Sequence, residues 1–269
     1  PLIFADPLSP YSGYKLEPDV AYGIHRRQKL DIYEPLLEEN KEIIIMFIYG
    51  GSWRSGERSN YRFIAQPFVS KGYTTIVPDY RLYPEVQFPA FVDDIAKAAV
   101  WAHRRYEQKD NPRKIILVGH SAGAHIAALL ALDNQYLKRA GLSTKIIGGW
   151  VSLAGPHAFN PLETKSTEPI FNNFATNIKQ TKPITFARSD APPGLLLHGK
   201  KDTVVFEKNS TLLANAIKNK SGRITLKAVE DVGHIEILLA VTGNALFNND
   251  VKQEIFAFIS NLDKTASID

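Results

Sequence analysis

The chain of 269 residues is 44% hydrophobic and 22% charged, and it contains no cysteine. A chain of this length and composition can bury a substantial core, and we expect one soluble domain spanning residues 1–269. The missing cysteines exclude disulfides, a thiol nucleophile and thiolate-bound metals. The longest apolar run is the seven residues from Ile43 to Tyr49, which is far too short for a membrane-spanning helix.

The net charge is +4, but the basic residues are scattered along the chain. The densest group contains Lys218, Lys220, Arg223 and Lys227, with no aromatic residues between them. A solvated surface explains such a group more readily than a binding patch does. We therefore expect no nucleic-acid partner.

The predicted elements alternate between strand and helix. Residues 18–23 and 29–35 are predicted to pair as antiparallel strands at a sheet edge. Further strands are predicted at 41–51, 73–82, 113–119, 145–155, 193–199 and 223–229, and helices at 60–72, 88–108, 122–132, 207–222 and 248–262. This alternation predicts an α/β fold with a mostly parallel sheet of about eight strands and helices on both faces.

One irregular segment, residues 155–192, is too long for an ordinary connection. We expect it to form a small lid or the wall of a pocket. Its phenylalanines are candidates either to line an acyl pocket or to pack against the sheet, and the sequence leaves both readings open. These residues are Phe159, Phe171, Phe174 and Phe186.

Residues 119–123, Gly-His-Ser-Ala-Gly, fit the motif G-x-S-x-G between a predicted strand and a predicted helix. In that motif a strained turn lifts the serine oxygen above the sheet, and small neighbours let the helix pack closely. The match alone is weak, because a random chain of this length would contain it roughly one time in ten. The flanking strand and helix strengthen it, so Ser121 is the candidate nucleophile.

A serine nucleophile needs a base, and the motif predicts an acid and then a histidine further along the chain. Asp202 and His234 each follow a predicted strand. They therefore lie at the edge where open α/β sheets bind their ligands. Three other carboxylates compete with Asp202, but they adjoin the histidine and leave no separate strand end for the acid: Glu230, Asp231 and Glu236.

The remaining histidines fit the role of base less well. Three lie on segments predicted to be at the surface: His25, His103 and His157. His120 and His125 are too close to Ser121 in the sequence, and His198 precedes Asp202. His234 is therefore also favoured by elimination.

Acyl transfer also needs N–H donors for the developing oxyanion, and each contributes about 3–4 kcal/mol. Residues 49–53, Tyr-Gly-Gly-Ser-Trp, end a predicted strand with two glycines, whereas a plain tight turn needs only one. We expect the backbone N–H groups of Gly51, Ser52 and Ala122 to form the oxyanion hole.

Two competing motifs fail on single residues. Residues 51–56 have the glycine spacing of a phosphate loop, but Glu57 stands where that loop requires lysine. Residues 234–236 match the H-x-E of zinc deaminases, yet the chain has no cysteine to supply their thiolates.

Together these residues resemble the α/β-hydrolase superfamily, in the carboxylesterase branch that includes hormone-sensitive-lipase-like esterases and kynurenine formamidases. The resemblance covers most of the chain from residue 30 onward. Besides the serine motif it rests on residues 49–58, 78–94, 195–205 and 232–237. Tyr49 departs from the family, which usually has histidine before Gly-Gly-x-Trp, and we expect the loop to be kept.

The resemblance implies an α/β-hydrolase fold and a serine hydrolase with a Ser121-His234-Asp202 triad. In that mechanism the serine attacks a carbonyl, the imidazole carries its proton to the leaving group, and water then releases the acyl group. Asp79, Arg81 and Glu85 would form structural ion pairs near the oxyanion loop. The resemblance implies a small-molecule ester as the partner and neither a metal nor an organic cofactor.

The first functional hypothesis is a carboxylesterase for small, short-chain esters, because no large cap domain is encoded. The alternatives are an arylformamidase acting on N-formylkynurenine and a non-catalytic binding protein on a hydrolase scaffold. Residues 1–10 contain neither a basic leader nor a long apolar segment. Since related bacterial proteins often carry an export leader, an exported location is favoured over the cytoplasm, and the oligomeric state is left open.

Overall fold

The computed structural model describes residues 12–36, 41–107, 113–243 and 250–266. The strands in these ranges are β1 (Tyr14–Ala21), β2 (Lys29–Pro35), β3 (Ile43–Ile48), β4 (Thr74–Pro78), β5 (Lys114–His120), β6 (Ile147–Leu153), β7 (Gly194–Gly199) and β8 (Ile224–Val229). The helices are α1 (Arg62–Val69), α2 (Ala90–Arg105), α3 (Ala122–Leu132), α4 (Asn134–Arg139), α5 (Glu168–Phe171), α6 (Lys208–Lys218), α7 (Glu236–Leu239) and α8 (Asp250–Ala266).

The strands form one eight-stranded sheet in the order β1-β2-β4-β3-β5-β6-β7-β8. β2 pairs antiparallel with both β1 and β4, and the other neighbouring strands are parallel. The predicted mostly parallel α/β sheet with an antiparallel edge pair is therefore confirmed. The edge strand β1 begins at Tyr14, earlier than the predicted residue 18.

The centre of the sheet is buried on both faces. All six side chains of β3, Ile-Ile-Ile-Met-Phe-Ile, are buried, as expected for a parallel strand covered by helices on each side. Helix α3 is also buried along its whole length, because it packs on β5 and β6 and is covered by α2 and by a turn at residues 183–186. This burial fixes the beginning of α3, and therefore Ser121, against the sheet.

Some local expectations need correction. Helix α4 was not predicted, and residues 155–192 contain α5 and three stretches of 3₁₀ helix, the longest of them Asn172–Thr181. His103 and His157 are buried rather than at the surface, because the rings turn inward to the carbonyl of Arg113 and to the hydroxyl of Ser152. The start of the chain, residues 1–11, lies outside the described residues. Within the described ranges, no helix is long and apolar enough to cross a membrane.

Candidate active site

Ser121 occupies a strained turn between β5 and α3. Its backbone has φ 54° and ψ −120°, a conformation that costs an L-residue about 1–3 kcal/mol. A Cβ atom on Gly119 would lie 2.4 Å from the carbonyl oxygen of Gly123, and one on Gly123 would lie 2.0 Å from that of Ile48. Both glycines of the motif are therefore required for α3 to start so close to the sheet.

The structure brings Ser121, His234 and Asp202 into one line of hydrogen bonds. Ser121 Oγ lies 2.9 Å from His234 Nε2, and His234 Nδ1 lies 2.7 Å from Asp202 Oδ2. Because a carboxylate only accepts hydrogen bonds, the Nδ1 atom carries the imidazole proton and Nε2 accepts from the serine hydroxyl. The residues follow β5, β8 and β7, so they meet at the carboxyl edge of the sheet.

The Asp202 carboxylate is held as a charged group. Its Oδ1 accepts hydrogen bonds from the backbone N–H groups of Val204 (2.9 Å) and Val205 (2.8 Å). Burial opposes ionisation, but the neighbouring His198 ring and the hydrogen bonds from His234 and the Val205 N–H outweigh it and hold the pKa of Asp202 well below its usual range. Asp202 is therefore an anion throughout the neutral pH range.

Two histidines that the sequence does not favour as the base hold the backbone of the site by hydrogen bonds. His198 Nε2 donates to the carbonyl of Val205 at 2.7 Å and lies 3.4 Å from Asp202 Oδ2. His120 Nε2 donates to the carbonyl of His234 at 2.8 Å. His120 is the last residue of β5, and His198 is the last but one of β7. Their position at strand ends is the sequence feature that could have indicated a role in the site.

The loop after β3 has an unusual backbone. Gly51, Ser52 and Trp53 all have positive φ, at 122°, 51° and 57°, and the N–H groups of Arg54 and Ser55 close the turn on the carbonyl of Gly51. The N–H groups of Gly51, Ser52 and Ala122, the three predicted donors, take part in no hydrogen bond within the described ranges. Ser52 and Ala122 line the same cleft as Ser121, whereas Gly51 does not reach its surface.

Tyr49, the departure from the family pattern, anchors this loop. Its hydroxyl donates to Asp79 Oδ1 at 2.6 Å and accepts from Arg27 Nη2 at 2.8 Å, while its carbonyl accepts from the hydroxyl of Tyr80 at 2.9 Å. Burial, with Tyr80 and Asp79 adding to it, raises the pKa of Tyr49 well above its usual value. The tyrosine is therefore neutral and orders the loop where the family has a histidine.

The three expected structural charges all form ion pairs, each with a different partner. Asp79 pairs with Arg27 and Arg58, Arg81 pairs with Asp94, and Glu85 pairs with His25 and Arg26. The Arg81–Asp94 pair is bidentate, and the Asp94 side chain is fully buried. These pairs connect the loop after β4 with the β1–β2 turn and with α2.

We expect Tyr49→Phe to destabilise the loop after β3. The change removes one of the hydrogen bonds that Asp79 Oδ1 accepts and one of those that Arg27 Nη2 donates, the first buried and the second partly buried. The free energy of unfolding should therefore fall by about 1–3 kcal/mol. Urea unfolding would measure this loss. Tyr61→Phe is the matched control, because its ring stacks on Tyr49 at 5.1 Å and its hydroxyl has no hydrogen bond within the described residues. Equal loss in both variants would contradict the anchoring role.

A cleft of about 630 Å³ opens above Ser121. Most of one wall comes from residues 156–167, so the predicted pocket-wall segment does line it. That wall is largely polar, with Asn160, Glu163, Thr164, Ser166 and Thr167. Of the four phenylalanines in the segment, Phe159 lines the cleft and stacks on Trp53, whereas Phe171 is buried among other rings. Among the described residues, no cluster of histidines and carboxylates could hold a metal ion.

Three buried histidines lie beneath the cleft. Burial lowers the pKa of His120 to about 3, an effect to which His234 adds, and lowers that of His125 to about 4. Burial, with His125 and His198 contributing, also lowers the pKa of His157 well below its usual value. Their hydrogen-bond partners are the carbonyl of His234 for His120, the carbonyl of Thr181 for His125 and the hydroxyl of Ser152 for His157.

Because of these three histidines, we expect the folded protein to lose stability in acid. Each has a lower pKa in the folded than in the unfolded protein, so below about pH 6.5 the unfolded chain binds more protons and stability is lost as the pH falls. Each histidine should cost about 1.4 kcal/mol per pH unit until its folded pKa is reached. Urea unfolding between pH 8 and pH 5 should show the decline, and His125→Gln should reduce its slope. A free energy of unfolding that is flat from pH 7 to pH 5 would contradict this prediction.

The chain is similar in sequence to one family model, to kynurenine formamidases and to esterases. The BD-FAE family model matches residues 30–217. A kynurenine formamidase of Danio rerio is 25% identical over 230 residues, covering 82% of this chain and 75% of that protein. The esterase LipQ of Mycobacterium tuberculosis is 26% identical over 234 residues, covering 79% of this chain but only 55% of LipQ.

Among solved structures, a truncated carbohydrate esterase from gut microbiota superposes with a TM-score of 0.78 and 22% identity. The superposition covers 95% of this chain and 99% of that one. At this level of identity the likeness shows the fold. The α/β-hydrolase fold expected from the sequence is therefore confirmed.

Proposed function

The chain belongs to the BD-FAE family of α/β-hydrolases, and from that membership we propose that it is a serine hydrolase that cleaves carboxylic esters through an acyl-enzyme. One observation carries the proposal. The hydrogen-bonded line from Ser121 through His234 to Asp202 ends in the cleft that Ser52 and Ala122 also line. Esterases and formamidases among its relatives point to the same type of reaction.

In the proposed reaction, the Ser121 hydroxyl attacks the ester carbonyl while His234 Nε2 takes its proton. The carboxylate of Asp202 stabilises the resulting imidazolium, and the backbone N–H groups of Ser52 and Ala122, which line the cleft, stabilise the oxyanion. The imidazolium then gives its proton to the departing alcohol, leaving an ester between Ser121 and the acyl group. Water attacks that ester by the same route and restores the free enzyme.

We place the preferred substrates among esters with a short acyl group. Trp53 and Phe159 stack on each other and both line the cleft, and Trp53 packs in turn against His125 and Phe171. This packed group of rings leaves little depth for a long acyl chain on that side. Acetyl and butyryl esters fit such a site better than octanoyl esters do.

A second candidate is an arylformamidase that acts on N-formylkynurenine, which the likeness to the formamidase of Danio rerio favours. Turnover of 4-nitrophenyl acetate, butyrate and octanoate should be compared with turnover of N-formylkynurenine. The proposal predicts the highest kcat/KM for the two short esters. Higher kcat/KM for the formamide would replace the first candidate by the second, and higher kcat/KM for octanoate would contradict the short acyl preference.

A further inference from the structure

Three strongly exposed apolar side chains lie together at the edge of the cleft: Val204, Phe206 and Leu212, which we term the apolar rim. Their exposed fractions are 69%, 60% and 48%. The other large apolar side chains that are exposed in the described part of the chain are Leu16, Ile24 and Leu36, which lie on or near β1 and β2. Single exposed apolar side chains are ordinary, but a group of them beside a ligand cleft indicates a binding surface.

Hydrogen bonds fix the loop that carries Val204 and Phe206, and Leu212 lies on the helix α6. Val204 and Val205 donate their N–H groups to Asp202, and the carbonyl of Val205 accepts from His198. The carbonyl of Phe206 accepts both the backbone and the side-chain N–H of Asn209, at 3.0 and 3.1 Å. The exposed side chains therefore belong to an ordered surface, and a ligand would bind there without the entropy loss of ordering the loop.

The position of the rim in the sheet shows which part of an ester it meets. Ser52 and Trp53 follow β3, on one side of the serine strand β5, whereas the rim follows β7, on the other side. The rim continues directly from Asp202, which holds His234. In the proposed reaction His234 must contact the departing alcohol to protonate it, so the alcohol portion leaves on the side of the rim.

We propose that the apolar rim binds the alcohol portion of the ester and selects alcohols that carry an aromatic ring. The proposal rests on the esterase function proposed above. The Phe206 ring offers a flat face, and the Lys208 ammonium lies 5.7 Å from its centroid on one side. A second ring can pack against Phe206, Val204 and Leu212 and remove their surface from water.

The test compares 2-phenylethyl acetate with ethyl acetate. Both esters form the same acetyl-enzyme, so the ratio of their kcat/KM values reports only on the alcohol. We expect the wild type to prefer 2-phenylethyl acetate by about tenfold, and Phe206→Ala and Leu212→Ser each to remove most of that preference. Ile24→Ala, which removes an even more exposed apolar side chain that does not line the cleft, should leave the ratio unchanged.

A second ratio, kcat/KM for 4-nitrophenyl butyrate over kcat/KM for 4-nitrophenyl acetate, reports on the acyl group alone, because the two esters share the same alcohol. This acyl ratio should be the same in Phe206→Ala as in the wild type. If Phe206→Ala changes the acyl ratio and leaves the alcohol ratio unchanged, the rim lies on the acyl side and the proposal is overturned. Unchanged alcohol ratios in an active Phe206→Ala protein would overturn it as well, while leaving the esterase function intact. A wild type that hydrolyses none of these esters would overturn the esterase function and this proposal together.

Discussion

Replacing Ser121 with alanine should reduce the hydrolysis of 4-nitrophenyl acetate by at least about 10⁴-fold in kcat. The variant keeps His234, Asp202 and the candidate oxyanion N–H groups but loses the oxygen that would form the acyl-enzyme. The backbone at residue 121 is strained at φ 54°. Alanine meets the same strain as serine and has about the same volume, so the fold should survive. Initial rates with enzyme concentrated enough to detect the residual activity would measure the effect.

A second serine–histidine pair provides the matched control. Ser152 Oγ lies 2.8 Å from His157 Nε2, which resembles the Ser121–His234 contact in distance. Ser152 is fully buried, however, and it is not among the residues that line the cleft. Ser152→Ala should therefore keep the wild-type activity, although it can lose stability. Near-wild-type hydrolysis by Ser121→Ala would show that the nucleophile lies elsewhere.

Asp202→Asn should lower kcat by about 10⁴-fold while leaving the loop in place. The asparagine Oδ1 can still accept from Val204 and Val205, but its amide N–H₂ then faces His234 Nδ1. That donor favours the tautomer in which Nδ1 accepts and Nε2 carries the proton, and such an imidazole cannot take the proton of Ser121. The variant should therefore lose kcat while it still folds.

The control for this prediction is Asp190→Asn. Asp190 is an exposed carboxylate whose pKa is also lowered, by the neighbouring Arg188, and it lies outside the cleft. Its replacement should leave kcat unchanged. If Asp202→Asn and Asp190→Asn have the same activity, Asp202 does not orient the base. Asp202→Asn also removes the stability that the lowered pKa of Asp202 contributes above about pH 4. This difference from the wild type should shrink below that pH, because the carboxylate of the unfolded chain then binds a proton while that of the folded protein is still charged.

The candidate site could largely be located from the sequence because its parts follow strands. Ser121, Asp202 and His234 each come after a segment that is recognisable as a strand, and parallel strands bring such positions to one edge. The glycines around Ser121 carried the same information, since only residues without a Cβ fit where α3 approaches the carbonyl of Ile48.

Features that depend on distant pairs could not be predicted in this way. Nothing in the sequence near Tyr49 shows that its hydroxyl meets Arg27 and Asp79, which are 22 and 30 residues away. The burial of His157 depends similarly on how the segment after β6 folds over the sheet. The open choice for the phenylalanines was resolved by the same packing, which sends Phe159 to the cleft and Phe171 to the core.

The most direct test of the account is to locate the adduct of a fluorophosphonate probe by tandem mass spectrometry of the digested protein. Such probes react with a serine that a neighbouring base activates. The account predicts a single modified residue, Ser121, in the wild type and labelling at least about 100-fold slower in His234→Ala. A modified residue other than Ser121, or equal labelling of the wild type and His234→Ala, would contradict it.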